Sequence, residues 1–308
     1  MADPISTDPL ERFEAAVRVR VGADADEWLD AVPDLISSVT GRWDLHVTAV
    51  ANRIDAFGLS IPARRESDRV TLRIAYPDAF LADETAALRA WDGAGAVRVL
   101  EEDERGAQLR SSPTPGTALS LERNEMRALR MVADALRELW ITPPEGMQTL
   151  AAEVRTWGSS MPERFESVHQ PFDEQLMRDA EVMFRSFGPS QMDAVLLHGD
   201  VRLDTFLLDG ERAVAIDPKP LAGEPAFDVA ALLRDGPGEL VRDPAAGRQR
   251  LQGRLEQLTD LLDVRASRVR GWAFAVAVDT GLYAYETGDI DGGDLMIEVA
   301  RLCQSLSA

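Results

Sequence analysis

Cysteine is nearly absent: Cys303 is the only one in 308 residues, which excludes an internal disulfide framework. The three histidines, His46, His169 and His198, stand at no metal-ligand spacing with it. No run of eighteen apolar residues occurs, so no transmembrane helix is expected. The N-terminal stretch MADPISTDPLERFE carries no apolar signal core, and the expectation is a soluble, cytoplasmic protein outside the general export route. Basic charge is also scarce, with 33 Lys and Arg against 53 Asp and Glu and a net charge of −20. That balance argues against a nucleic-acid partner, because phosphate contacts need clustered cations. Lysine itself occurs once, as Lys219. An acidic surface chiefly keeps a protein soluble, and it also admits a cationic small substrate.

What is present suits one large domain or two lobes with a substantial core. The first 42 residues read as a helical extension. Glu11–Val21 puts Phe13 and Val17 on one stripe, and a second helix over Asp26–Thr40 is interrupted by Pro33. Packing on the small lobe, or a homodimer contact, is the expectation for it. Strand-like alternation follows at Leu45–Ala51, Phe57–Ala63, Val70–Tyr76, Val97–Glu102 and Ala107–Arg110, with a helix at Asp78–Ala90. The run Ser111-Ser112-Pro113-Thr114-Pro115-Gly116 reads as a linker. Beyond it the chain is mostly helical, at Leu119–Trp140, Leu150–Trp157, Phe172–Ser186, Gly247–Leu262, Ala266–Thr287 and Asp294–Leu306.

One stretch, Leu196–Lys219, breaks the helical pattern: LLHGDVRLDTFLLDGERAVAIDPK. It reads as a strand entry, a tight His198-Gly199-Asp200 turn and a strand at Thr205–Leu208. An Asp209-Gly210 hairpin turn and a strand at Ala213–Ile216 follow, delivering Asp217. Asp200 and Asp217 therefore stand at the two ends of one small β unit. Phosphoryl transfer needs such a pair, one carboxylate to orient and deprotonate the attacking hydroxyl and one to hold magnesium. Each piece alone also reads as an ordinary turn or a capped strand end.

The combination His198-Gly199-Asp200, fifteen residues, Ile216-Asp217-Pro218-Lys219, four residues, then Glu224-Pro225-Ala226-Phe227-Asp228 is more specific. It resembles the streptomycin 6-phosphotransferase and hydroxyurea phosphotransferase family, within the aminoglycoside phosphotransferases and protein-kinase-like enzymes. Ala90–Arg98 is similar to that family's segment after the first small-lobe helix. The resemblance implies an α+β, two-lobed protein-kinase-like fold, with a small antiparallel-sheet N-lobe at 43–112 and a mostly helical C-lobe at 113–308. It further implies ATP (or GTP) and Mg²⁺ as cofactors, and a small hydroxylated acceptor such as an aminocyclitol antibiotic or a hydroxyurea-like compound.

By that resemblance Asp200 is the catalytic base, Arg202 the cation near the transferred group and Asp217 the metal ligand. Thr205 stands where the family has a metal-binding asparagine. Arg73 stands where it has a phosphate-contacting lysine, to be paired with Glu84 on the next helix. The phosphate-covering turn falls at Asn52–Ala56, with Gly58 the one glycine nearby. Glu224 faces a cationic substrate, and Asp228 bonds back to the catalytic loop. Two other readings stand beside this one: a non-catalytic small-molecule binder on the same fold, and a metabolic sugar kinase. Arg73, Thr205 and the glycine-poor turn are the departures that favour the binder.

Overall fold

The computed structural model describes residues 9–51, 53–55, 57–190 and 194–307. The described chain forms two compact units. The first comprises the described residues of Met1–Thr117 with Leu208–Val214; the second comprises those of Ala118–Leu207 and Ala215–Ala308.

The first unit begins with helices α1 (Pro9–Val21) and α2 (Asp26–Arg42). Pro33 lies inside α2 without ending it, contrary to the interruption expected there. Strands β1 (Leu45–Val47), β2 (Arg53–Asp55), β3 (Gly58–Arg65) and β4 (Asp68–Ile74) follow. Helix α3 (Ala79–Trp91) then leads to β5 (Val99–Asp103), β6 (Ala107–Ser111) and β7 (Pro115–Ala118). The main sheet runs β1-β3-β4-β6-β5, with β2 added on β3. Every pair given in register is antiparallel. Asp78 caps α3 by accepting from the Leu81 amide, as an N-cap carboxylate should.

Strand alternation divides this sheet into two unlike faces. Leu59, Ile61, Val70, Leu72, Ile74, Ala107 and Leu109 occupy one and form a single core with Phe13, Val17, Leu29, Val32, Leu35 and Val39 of α1 and α2. The N-terminal helices thus cover the apolar back of the sheet. The other face is polar: the register sets Ser60 opposite Arg73, Arg73 opposite Gln108, and Thr71 opposite Arg110. α3 packs there, and its Glu84 and Thr85 bond Arg110 and Gln108.

The second unit contains α4 (Glu125–Leu139), α5 (Leu150–Ser167) and α6 (Glu174–Phe187), then β8 (Val195–Leu197). β9 (Phe206–Asp209) and β10 (Arg212–Ala215) form a hairpin whose tip belongs to the first unit, and β7 pairs on β9. The expected linker therefore contributes a strand from Pro115 onward. β11 (Leu221–Gly223) pairs antiparallel with β8. Helices α7 (Ala226–Leu233), α8 (Pro237–Arg242), α9 (Pro244–Leu262), α10 (Ala266–Glu286) and α11 (Ile290–Gln304) complete the chain. The stripe predicted for α4 is buried at Leu129, Val132, Leu136 and Leu139, but Met126 is exposed. Trp272 and Phe274 of α10 are core, whereas Tyr283 is exposed.

Candidate active site

The turn after β8 is held shut by backbone chemistry that only its own residues permit. Gly199 has φ of 77°, and a Cβ there would lie 1.8 Å from the Lys219 carbonyl oxygen, so glycine is required for shape and for space. The Lys219 amide donates to the His198 carbonyl at 2.8 Å and closes the segment after Asp217 onto the turn. His198 is fully buried. Its Nδ1 accepts from the Asp200 amide at 3.3 Å, so Nε2 carries the proton and donates to the Ile216 carbonyl at 3.1 Å. Burial lowers its pKa and keeps the ring neutral. Asp228, at the start of α7, accepts from the amides of His198 (3.0 Å) and Gly199 (2.9 Å) and from the Trp140 indole (3.1 Å). The expected bond from Asp228 back to the catalytic loop is thus present.

Asp200 projects from this turn, with its side chain 21% exposed, and it is paired with Lys219 Nζ at 3.2 Å and Arg202 at 3.1 Å. Burial pushes its carboxyl up, but the Lys219 ammonium and the Arg202 guanidinium outweigh that and hold it below the usual carboxylate range. It is therefore ionised at neutral pH. Lys219 was not among the expected site residues. A compositional signal pointed to it: it is the one lysine among 33 basic residues.

Asp217 follows Ile216, whose amide donates to the Thr205 carbonyl at 2.9 Å and whose carbonyl receives His198. Its φ is 51°, a left-handed conformation uncommon outside glycine but one that Asp adopts more readily than most residues. Lys219, two residues on, joins this segment to Asp200. Thr205 serves a different purpose from the one expected. It is fully buried, accepts from the Arg202 amide at 3.1 Å, and shares its O–H between the carbonyls of Asp200 (2.9 Å) and Arg202 (3.0 Å). The hydroxyl thus staples the catalytic loop to itself.

In the first unit, Arg73 is only 1% exposed and lies directly against Gly58, where a Cβ would come within 2.3 Å of its guanidinium carbon. Gly58 therefore makes room for the arginine. Arg73 also bonds Ser60 at 3.3 Å. Glu84 is paired with Arg110 of β6 (2.8 Å), which no motif in the sequence marks, and Gln108 braces that guanidinium at 2.6 and 2.9 Å. Of the residues expected in the phosphate turn, Arg53–Asp55 form β2, paired with β3, while Asn52 and Ala56 lie outside the described residues. Removing one partner of a buried ion pair strands the other charge. Arg110→Met is expected to cost about 3–5 kcal/mol, and Arg110→Met with Glu84→Met together less than either alone; urea unfolding of the three variants checks this.

Glu224 departs furthest from expectation. It is 9% exposed, and its carboxylate is committed to the Arg268 guanidinium (3.0 Å from Nε) and the Trp272 indole. Arg268 in turn stacks on Phe187 at 3.8 Å. This is a packed polar brace between α10 and the segment entering α7, and it leaves Glu224 no free face for a cationic substrate.

A sequence model of a family described as aminoglycoside/hydroxyurea antibiotic resistance kinase matches residues 59–288. A hydroxyurea phosphotransferase of Kitasatospora aureofaciens is 30% identical over 301 residues, covering 96% of this chain and 85% of the relative. A streptomycin 6-kinase of Streptomyces griseus is 27% identical over 271 residues, 87% of each chain. Among solved structures, aminoglycoside phosphotransferase APH(4)-Ia superposes with a TM-score of 0.62 at 15% identity, over 90% of this chain and all of that one (100%). Choline kinase LicA from Streptococcus pneumoniae gives 0.63 at 13% identity, over 90% and 99%. The fold is thus protein-kinase-like, as expected.

Proposed function

The chain belongs to the aminoglycoside/hydroxyurea antibiotic resistance kinase family, and we propose that it transfers the terminal phosphoryl group of ATP (or GTP) to a hydroxyl of a small antibiotic-like molecule. The observation that carries this reading is the ionised Asp200, fixed in the buttressed His198-Gly199-Asp200 turn and joined through Lys219 to the Asp217 segment. Asp200 orients the acceptor hydroxyl and takes its proton as the bond to phosphorus forms. Lys219 and Arg202 keep that carboxylate charged, and they set cationic N–H donors beside it that can stabilise negative charge on the transferred group. On the nucleotide side we assign Arg73, with Glu84 held by Arg110.

Magnesium is implied by the family. Among the described residues no three His, Cys, Asp or Glu side chains gather as a metal cage. The donor set still fits this ion, which binds through one or two carboxylates with phosphates and water completing its octahedron. Asp217 would hold it, and bound there it supplies neutralisation of the nucleotide phosphates.

The test is acceptor-dependent ADP release, with hydroxyurea and streptomycin offered in turn and ATP compared with GTP. No release with either acceptor, or release equal without acceptor, would sink the reading. Lys219→Met carries a more specific expectation. Loss of the ammonium lets burial raise the Asp200 pKa, so the acid limb of the pH–rate profile moves upward. Turnover at neutral pH should also fall about tenfold or more. An acid limb that stays in place would remove Lys219 from the mechanism.

A further inference from the structure

The first unit holds a cluster of arginines to which the chemistry at Asp200 assigns no part. Two cavities of about 240 and 560 Å³ open there around the same three residues, Leu100, Ser111 and Ser112. Their walls come from the β3–β4 hairpin, β5, the end of β6 with the run that follows it, and the tip of the β9–β10 hairpin, all within this unit. Arg98 and Arg212 line the smaller cavity, and Arg64, Arg65 and Arg69 line the larger. Carboxylates neutralise two of the five, Arg65 by Glu101 at 3.0 Å and Arg98 by Asp92 at 2.9 Å. The other three have no carboxylate partner among the described residues: Arg64 bonds the Ser67 carbonyl (2.9 Å), Arg69 the Pro115 carbonyl (3.3 Å), and Arg212 makes no hydrogen bond or ion pair. Asp209 lines the smaller cavity and Asp68 the larger, but Asp209 is engaged by the Thr114 amide at 2.9 Å and Asp68 by the Ser67 hydroxyl at 3.3 Å.

Hydroxyls complete the donor set. Ser111 Oγ accepts from the Arg98 amide at 2.9 Å, which leaves its O–H to donate, and Ser112 Oγ shares one hydrogen bond with Thr71 at 2.7 Å. Guanidinium forks and hydroxyls around a cavity suit a phosphoryl group, whose two charges and three terminal oxygens take two cations, where a carboxylate is satisfied by one. Each cavity offers such a pair, Arg98 with Arg212 and Arg64 with Arg69, and the common wall at Ser111 and Ser112 sets the two pairs side by side. The net charge of −20 opposes an anion chiefly at long range. Exposed charges farther away than about 8 Å are largely screened at physiological salt, so the arginines on the walls decide the local potential.

We propose that the two cavities form one binding site for a small anion with two phosphoryl groups, one group in each, which fastens the run after β6 to the β3–β4 and β9–β10 hairpins. The site stands whether or not the chain transfers phosphate. Calorimetric titration of the full chain tests it, with EDTA present to exclude binding through a metal. Pyrophosphate and fructose 1,6-bisphosphate are the inorganic and organic probes, and inorganic phosphate is the single-group comparison. At least one bisphosphate should bind the parent about tenfold or more tightly than phosphate, two charge-assisted contacts against one, and raise the melting temperature. The tighter of the two shows which source the site takes, and either upholds it. Arg212→Gln strands no partner, so it should fold as the parent does, and thermal melting verifies this. It and Arg69→Gln should each weaken the bisphosphate about tenfold, the scale of one charge-assisted hydrogen bond. Arg155→Gln, the same change of charge at an exposed position of α5, should leave the affinity unchanged. Three results would each overturn the proposal: no binding of either bisphosphate, affinity no greater than for phosphate, or affinity indifferent to Arg212 and Arg69. Binding that is lost in Arg73→Gln and kept in Arg212→Gln would place the anion on the nucleotide side and overturn it as well.

Discussion

Asp200→Asn is expected to lower turnover by about two to four orders of magnitude while the protein stays folded. The amide fills the same volume and can still hydrogen-bond the acceptor, but it cannot take its proton. The two cations it leaves, Lys219 (42% exposed) and Arg202 (49% exposed), remain solvated, so no charge is stranded in the interior. The loss should appear in kcat with little change in KM, because it removes an interaction made in the transition state. The folded-state pKa of Asp200 is depressed. Its contribution to stability is therefore present above the unfolded carboxylate value and lost as pH falls through the lower folded one. Steady-state kinetics and melting curves on parent and variant are the measurement. Turnover within a few-fold of the parent would remove Asp200 as the base.

The parts of this site that were legible in the sequence are those fixed by local backbone demands. A turn needing positive φ selects glycine, and Gly199 (77°) and Gly210 (61°) mark the two turns that bring Asp200 and Asp217 to their places. The first strand of the hairpin came out one residue later than expected and the second one residue earlier, with Gly210 and Glu211 between β9 and β10. Asp228 was also readable as a brace, because it opens a helix just after the hairpin. What stayed hidden depends on pairings distant in sequence. The alternation of β6 shows that Gln108 and Arg110 share a face, but only the register with β4 and the docking of α3 decide that Arg110 meets Glu84. Lys219 reaches Asp200 only because its amide closes on His198. Strand β7 exists because β9 offers an edge, a partner that a Ser/Pro/Gly run does not announce.

The departures at Arg73 and Thr205 look different with their surroundings known. Gly58 leaves space for the guanidinium of Arg73, which is larger than an ammonium. The Thr205 hydroxyl makes three contacts with the backbone of the catalytic loop. Neither change weakens the case for an enzyme, and the family is one of kinases. Replacing Thr205 by asparagine would disturb that staple.

Asp228→Ala is expected to damage stability and turnover together, which sets it apart from Asp200→Asn. The carboxylate is fully buried and receives three N–H groups, one from Trp140 and two from the catalytic turn. Burial raises its pKa, while the three donors pull the other way. Alanine would leave those donors unsatisfied in a site closed to water, at about 1–3 kcal/mol each and less than additive for neighbours. A loss of about 3–5 kcal/mol follows, on the scale of a buried polar network broken at its centre. The turn would lose the anchor at His198 and Gly199 that aims Asp200, so kcat should fall about a hundredfold or more even well below the melting temperature. Asp228→Asn provides the sharper comparison. One amide oxygen can still receive Trp140 and His198, which share Oδ2, but the NH₂ then faces the Gly199 N–H. That variant should melt between parent and alanine. If Asp228→Ala melts and turns over like the parent, the rigidity of the His198-Gly199-Asp200 turn comes from elsewhere, and the tie between α7 and the catalytic loop is incidental.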